Sequence, residues 1–217
     1  MPSVRSALEA RFPRNRTVIV YTISAVVLIS GALLVFRVLV RRDYGRNEHL
    51  SAFSSFLELL IWGLCFAFPY IYNPPDWPWF WKLDPRRSIA PLLGLVCIAL
   101  GMALAFGTMS WFGLRRVFGL QVDALIQTGP YRASRNPQIL GGALMVIGSA
   151  IQSPSWYALG WILLYGAIAH MMVLTEEEHL LHVHGPHYES YRNRVPRYLG
   201  LPRVSEQIDT CSPLAGT

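Results

Sequence analysis

Residues 17–36 run for twenty positions without a charged side chain. A helix rises about 1.5 Å per residue, so such a run matches the ~30 Å hydrocarbon core of a bilayer. Three more apolar regions follow, at residues 52–72 (with one acid, Glu58, near its start), 88–111 and 137–174. The last is too long for one crossing. Ser153-Pro154-Ser155 divides it, because proline disfavours helix at the residue before it, and a tight helical hairpin is the natural reading. The expected architecture is therefore all-α: a polytopic helical membrane protein with about five transmembrane helices, the last two forming a C-terminal hairpin. Composition agrees, with 53% apolar and only 15% charged residues, against roughly 25% charged in an ordinary soluble domain.

Arg5, Arg11, Arg14 and Arg16 precede the first run. That run is longer than a signal-peptide core and ends in arginines without a small-residue cleavage site, so it reads as a retained first span. The net charge of +6 raises the question of nucleic acid. The arginines fall in short loops between apolar runs, with no basic stripe and no nucleic-acid motif, and a nucleic-acid partner is not expected. Loop arginines instead report orientation. On a five-span path the segments 37–50 and 112–136 and the tail from 176 share one side and hold twelve Lys and Arg, against seven on the other side. The richer side, with the C-terminal helical segment, is expected to be cytoplasmic.

Residues 73–82 carry three tryptophans in five positions among prolines, the pattern of an interfacial aromatic belt. Cys65, Cys97 and Cys211 form no metal or redox spacing. Glu58 is the one acid inside an early span; it is either functional or close enough to its helix start to reach the interface. The expected division is 1–111 for three N-terminal membrane spans and 112–217 for a catalytic region.

Chemistry-bearing residues gather after position 120. Gly129-Pro130 sets a turn, and Asn136-Pro137 opens the next helix with a capping residue followed by proline at the first position. Arg132 and Arg135 sit in that loop, and arginine presents a planar fork suited to carboxylate or phosphate. Gly141-Gly142 permits close approach of a helix or ligand. Across the hairpin the helix should continue through Glu176 and Glu177, with His170 and Glu177 seven apart on one face. Arg135 and Glu177 then reach the same membrane surface, where they suit either a zwitterionic amino-acid group or a solvated ion-pair cluster.

In order and spacing, Gly129-Pro130-Tyr131-Arg132, Arg135-Asn136-Pro137, Gly141, Glu176-Glu177, Leu180, Gly185, Tyr188, Tyr191 and Val195-Pro196-Arg197 resemble the isoprenylcysteine carboxyl methyltransferase and phospholipid methyltransferase superfamily. The resemblance covers roughly residues 120–200 and departs from the family pattern at Asn136 (usually His), Ile139, His184 and Gly200. It implies an S-adenosylmethionine-dependent membrane methyltransferase without a Rossmann domain. The cofactor binds at the cytoplasmic side and the acceptor arrives laterally from the bilayer. It further implies Tyr131, Arg135, Asn136, Pro137 and Gly141 as one wall of the cofactor site, Glu176 and Glu177 at the amino-acid end, and Tyr188 and Arg197 in a closing segment. Arg135, Asn136 and Glu177 are the residues implied closest to catalysis, with Arg194 a further candidate. The acceptor is lipid-linked or lipid-soluble: nominally an isoprenylcysteine-type carboxylate, alternatively a phospholipid amine or a thiol. The oligomeric state is not legible.

Three other readings compete. His179, His182, His184 and His187 crowd nine residues, and Glu176 lies three before His179, a spacing used by membrane di-metal oxidases. A non-catalytic protein retaining the fold is the second, and a sterol-reductase-like enzyme using a nicotinamide cofactor the third.

Overall fold

The computed structural model describes residues 4–47, 49–71, 89–112 and 125–200, all of whose regular elements are helical. Helix α1 (Val4–Leu34) passes through a π-helical turn (Val35–Val40) into α2 (Arg41–Asn47). A loop was expected from residue 37, but the helix runs on to Asn47. Nothing before Gly45 breaks it, and Arg37 and Arg41 find a partner on a later helix, Glu178.

Helix α3 (Ala52–Ala67) ends in a 3-10 turn (Phe68–Ile71). Its N-cap is Ser51, whose hydroxyl accepts from Ser54 N at 3.3 Å. Asp43 of α2 accepts from the Ser51 amide at 3.2 Å, from the Ser54 hydroxyl at 2.6 Å and from the Ser51 hydroxyl. The buried carboxylate thus pins the turn between α2 and α3 and complements the positive end of α3.

Helix α4 (Ala90–Phe112) precedes the C-terminal region. There a 3-10 turn (Gly129–Arg132) leads to α5 (Pro137–Gln152), α6 (Trp156–His184) and α7 (Pro186–Arg194). The expected break at Ser153-Pro154-Ser155 separates α5 from α6, and Ser155 caps α6 by accepting from Ala158 N at 3.1 Å.

Among the described residues four helices are long and apolar enough to cross a bilayer: Arg16–Asn47, Ala52–Ile71, Ala90–Trp111 and Trp156–His184. The fifth expected span, α5, is apolar but has only 16 residues. At about 1.5 Å per residue it reaches about 24 Å, short of the ~30 Å core, because prolines clip it at both ends. Side chains such as Ile23, Val27, Phe53, Leu100 and Leu163 stand exposed, as lipid-facing residues do.

The five helices meet in two ways. In the first, α4 and α5 approach backbone to backbone through glycines seven residues apart on each. A Cβ on Gly101 would lie 2.5 Å from the Gly141 carbonyl oxygen, and one on Gly94 would lie 2.5 Å from that of Gly148. In lipid, where no hydrophobic force drives helices together, such small-residue contacts supply the packing. In the second, large side chains of α6 fill the space against α1 and α3. Trp161 is 1% exposed and donates its indole N–H to Cys65 O at 2.8 Å, and the Tyr21 hydroxyl donates to Tyr157 O at 2.8 Å.

The aromatic segment 73–82, the loop 113–124 and the tail from 201, with Cys211, lie outside the described residues.

Candidate functional site

The 3-10 turn before α5 starts at Gly129, whose φ of +61° an L side chain rarely adopts, with the Trp111 indole packed 3.2 Å from where a Cβ would stand. This turn buries Tyr131, whose hydroxyl donates to Gln138 Oε1 at 2.9 Å. The chain then presents Arg135 inward and enters α5 with Pro137 in its first turn.

Asn136 occupies the N-cap position, yet its side chain does not cap α5. The helix's own capping group is diverted: Asn136 Nδ2 donates to the carbonyl of Arg197 at 3.1 Å, and the Ser134 hydroxyl donates to the same carbonyl at 3.4 Å. The Arg135 amide donates to Pro196 O at 3.0 Å. These bonds fasten the C-terminal segment across the mouth of the hairpin. A neutral donor suffices for that role, so an asparagine serves where the family pattern has a histidine.

Gly185, with φ +48°, reverses the chain between α6 and α7. Helix α7 then lies back under the turn, and the Tyr191 hydroxyl donates to Tyr131 O at 2.8 Å. Tyr188 is 1% exposed and its hydroxyl accepts from Arg135 Nη1 at 3.3 Å. Burial is the main reason the Tyr188 phenol is pushed up to about 12, and burial likewise raises Tyr131, Tyr191 and Tyr198 above the ordinary range. All four act as neutral donors and acceptors at physiological pH.

At the centre stands Glu177. Its Oε1 meets Arg135 Nη1 at 3.0 Å, and its Oε2 meets Arg197 Nη2 at 2.7 Å, with Arg197 Nε also within 3.1 Å. The Glu177 and Arg135 side chains are 9% and 8% exposed. The hydrogen bond to Glu177 raises the Arg197 guanidinium further above its already high range. The hairpin therefore does bring Arg135 and Glu177 together, and Arg197 joins them from the C-terminal segment. Two guanidiniums against one carboxylate leave an excess positive charge. The Arg135 Nε–H is buried without a partner among the described residues.

The three consecutive acids diverge. Glu178 turns to the first helix and pairs with Arg37 at 2.9 Å and Arg41 at 3.1 Å. Glu176 forms no hydrogen bond or ion pair among the described residues, and it stands near enough to Tyr131, Tyr188 and Glu58 to couple to them electrostatically. Glu58 thus faces the same interior from α3, on the stripe that also carries buried Ser54, Ile61 and Cys65.

Not every expected wall residue faces this centre. The space where a Gly141 side chain would sit belongs to α4, with Ala105 N 2.6 Å away. Gly142 instead makes room for Tyr165 of α6, whose hydroxyl donates to Ile139 O at 2.7 Å. Arg132 is exposed, and Arg194 binds Gln127 Oε1 at 3.1 Å away from the triad. Among the histidines, His179 is buried and stacks flat on Tyr44 with centroids 3.8 Å apart. Among the described residues no three His, Cys, Asp or Glu side chains are placed to share a metal ion. The roles of Glu178 and Tyr198 carried no sequence signal, because each depends on a partner distant in the chain.

Fold and site together describe an integral membrane protein of four long apolar helices, among the described residues, with an arginine–glutamate–arginine cluster at one end of its C-terminal hairpin. Residues 89–187 match the family model described as phospholipid methyltransferase, a match that fits the methyltransferase superfamily the C-terminal motifs resemble. Among curated proteins it is similar to phosphatidylethanolamine N-methyltransferase B of Dictyostelium discoideum, 26% identical over 103 residues, 45% of this chain and 52% of that protein. It is also similar to the nickel-cobalt-cadmium resistance protein NccN of Alcaligenes xylosoxydans xylosoxydans, 27% identical over 106 residues, 49% of this chain and 48% of that protein. The chain thus spans about half the length of the curated relatives it matches. No solved structure matches it.

Proposed function

We propose that the chain transfers a methyl group from S-adenosylmethionine to the amine of a phospholipid. The observation that carries this reading is the Arg135–Glu177–Arg197 cluster, in which buried Arg135 and Glu177 lie within the family-matched residues 89–187 and Arg197 comes from the returning segment beyond them. The residues present suit the donor. The unpartnered Arg135 Nε–H and the excess guanidinium charge suit its carboxylate, and the unpaired Glu176 suits its ammonium. Glu177 is the counter-ion that fixes both guanidiniums, a different part from the ammonium ligand that the sequence alone suggests. Tyr131, Asn136, Pro137 and Tyr188 hold the loop and the closing segment in register around them.

When bound, S-adenosylmethionine supplies an electrophilic methyl group on a positively charged sulfur. The chain's own contribution is then orientation and exclusion of water, with the acceptor arriving from the bilayer. The family description and the Dictyostelium relative's name favour a phospholipid amine over the carboxylate acceptor expected nominally from sequence. The site lies on the arginine-rich side, which we assign to the cytoplasm.

The test is calorimetry of S-adenosylmethionine with detergent-purified protein, alongside transfer of labelled methyl to phosphatidylethanolamine in mixed micelles. Micromolar binding is expected, lost in Arg135→Lys, which keeps the charge but not the fork, and weakened in Glu176→Gln. Folded protein that binds no S-adenosylmethionine overturns the assignment.

A further inference from the structure

His170 is a titratable side chain within the membrane helices that has no part in this reading. It lies near the middle of α6, about two turns below Glu177, and is exposed. A histidine that deep in a membrane helix needs a reason. It lines a cavity of about 360 Å³ between α5 and α6, within the roughly 300–1,000 Å³ typical of ligand sites. The walls are apolar, among them Ile139, Ala143, Val146 and Ile162. The polar groups on the lining are gathered as phenol and imidazole: Tyr165, His170 and Tyr198.

Two of these are joined. His170 Nδ1 and the Tyr198 hydroxyl lie 3.1 Å apart. Tyr198 follows Arg197, the residue that grips Glu177 at 2.7 Å. One residue of the cavity wall, Tyr198, is thus the chain neighbour of a member of the charged cluster, while the cavity's open side, at exposed Gly166 and Ile147, faces the depth of the acyl chains. An apolar slot with a polar end beside a charged site matches an amphiphile with one chain in the slot and its headgroup at the end.

We propose that this cavity holds an acyl chain of the phospholipid acceptor and that His170 is the base that takes the proton from its ammonium group. The inference rests on the methyl-transfer reading and adds a residue to it. With Nδ1 engaged by the Tyr198 hydroxyl, Nε2 is the ring nitrogen left to take a proton in the tautomer that carries its hydrogen on Nδ1. His170 removes one proton from the alkylammonium. The freed nitrogen lone pair forms the bond to the methyl carbon as the carbon–sulfur bond breaks, and that bonding pair stays on sulfur. The products are the N-methylated ammonium and a neutral thioether, and the proton on His170 leaves to water. Tyr198 is a positioning residue that holds the imidazole ring at the cavity wall. The other titratable groups facing His170 are Tyr198, from the C-terminal segment, and Tyr165, from α6 itself; α5 presents only apolar side chains to the cavity.

The experiment uses the full chain in mixed micelles of phosphatidylethanolamine with labelled S-adenosylmethionine. His170→Gln should bind S-adenosylmethionine as the wild type does and lower kcat roughly 100-fold or more, the scale of general-base catalysis. The acidic limb of the wild-type kcat–pH profile should vanish with it, and added imidazole should restore part of the rate. Ala143→Phe, which fills the slot, should raise KM for the long-chain lipid while sparing a short-chain water-soluble analogue. A His170→Gln enzyme with wild-type kcat and an unchanged profile overturns the proposal and leaves the methyltransferase reading standing. Wild type that neither binds S-adenosylmethionine nor methylates lipid overturns both.

Discussion

Glu177 decides most at the residue scale, because it is the counter-ion of two arginines in a place water scarcely reaches. Removing one partner of a buried pair costs roughly 3–5 kcal/mol, since the other charge is left unpaired. Glu177→Gln should therefore lower the unfolding midpoint of the detergent-solubilised protein substantially. Arg197→Ala should cost much less, about 1 kcal/mol, because Arg197 is 35% exposed and water can take over its role. Equal losses from the two would show that the carboxylate is better solvated than its exposure implies. A second prediction concerns Tyr188. Its folded pKa is pushed up to about 12, above the value near 10 of an exposed phenol, so the fold favours the neutral form. That contribution is complete below about pH 10 and disappears as pH rises through 12. Tyrosinate absorbance should show a late-titrating step, shared with Tyr131 and Tyr191, whose amplitude Tyr188→Phe lowers by one phenol without loss of the fold.

The element scale is where the sequence was most and least legible. Uninterrupted apolar runs announced α3, α4 and α6 within a few residues, and Ser153-Pro154-Ser155 announced the hairpin, because lipid and proline leave the backbone few alternatives. The charged face of that hairpin was equally readable, since Arg135 and Glu177 flank it at fixed distances along the chain. What could not be read was direction around each helix. Gly141 and Gly142 are neighbours in sequence, yet one faces α4 and the other Tyr165 of α6, a difference visible only once the partners are placed. Asn136 likewise has the right identity for a cap, and only the returning Arg197 carbonyl diverts it. The α4–α5 contact yields its own prediction. Gly101→Leu should destabilise the protein by about 3 kcal/mol or more, because the new side chain meets backbone that cannot yield. Gly107→Leu on the same helix, with nothing within 4 Å of a Cβ there, should be tolerated. Thermal unfolding in detergent separates the two, and equal losses would mean that helix propensity rather than the close approach is being measured.

At the scale of the whole molecule, the helices outside the family match are tied to those inside it. Trp161 and Tyr157 of α6 bond back to α3 and α1, and Glu178 pairs with Arg37 and Arg41 across the mouth of the bundle. The N-terminal spans thus brace the same helix that carries Glu176, Glu177 and His170, so one α6 sets the depth of these three groups. That arrangement makes sidedness testable at two points on a cysteine-free background. Ser190→Cys on α7 and Pro154→Cys in the hairpin turn are both exposed, at opposite ends of α6. An impermeant thiol reagent applied to intact cells should label Pro154→Cys and leave Ser190→Cys untouched until the membrane is opened. The reverse pattern would put the arginine-rich side outward, against the charge rule, and would deny the cluster access to cytoplasmic S-adenosylmethionine. Labelling of both in intact cells would mean that α6 does not cross the bilayer. The depth argument for His170 would then fall with it, since a histidine near the middle of α6 lies within the acyl-chain region only if that helix spans.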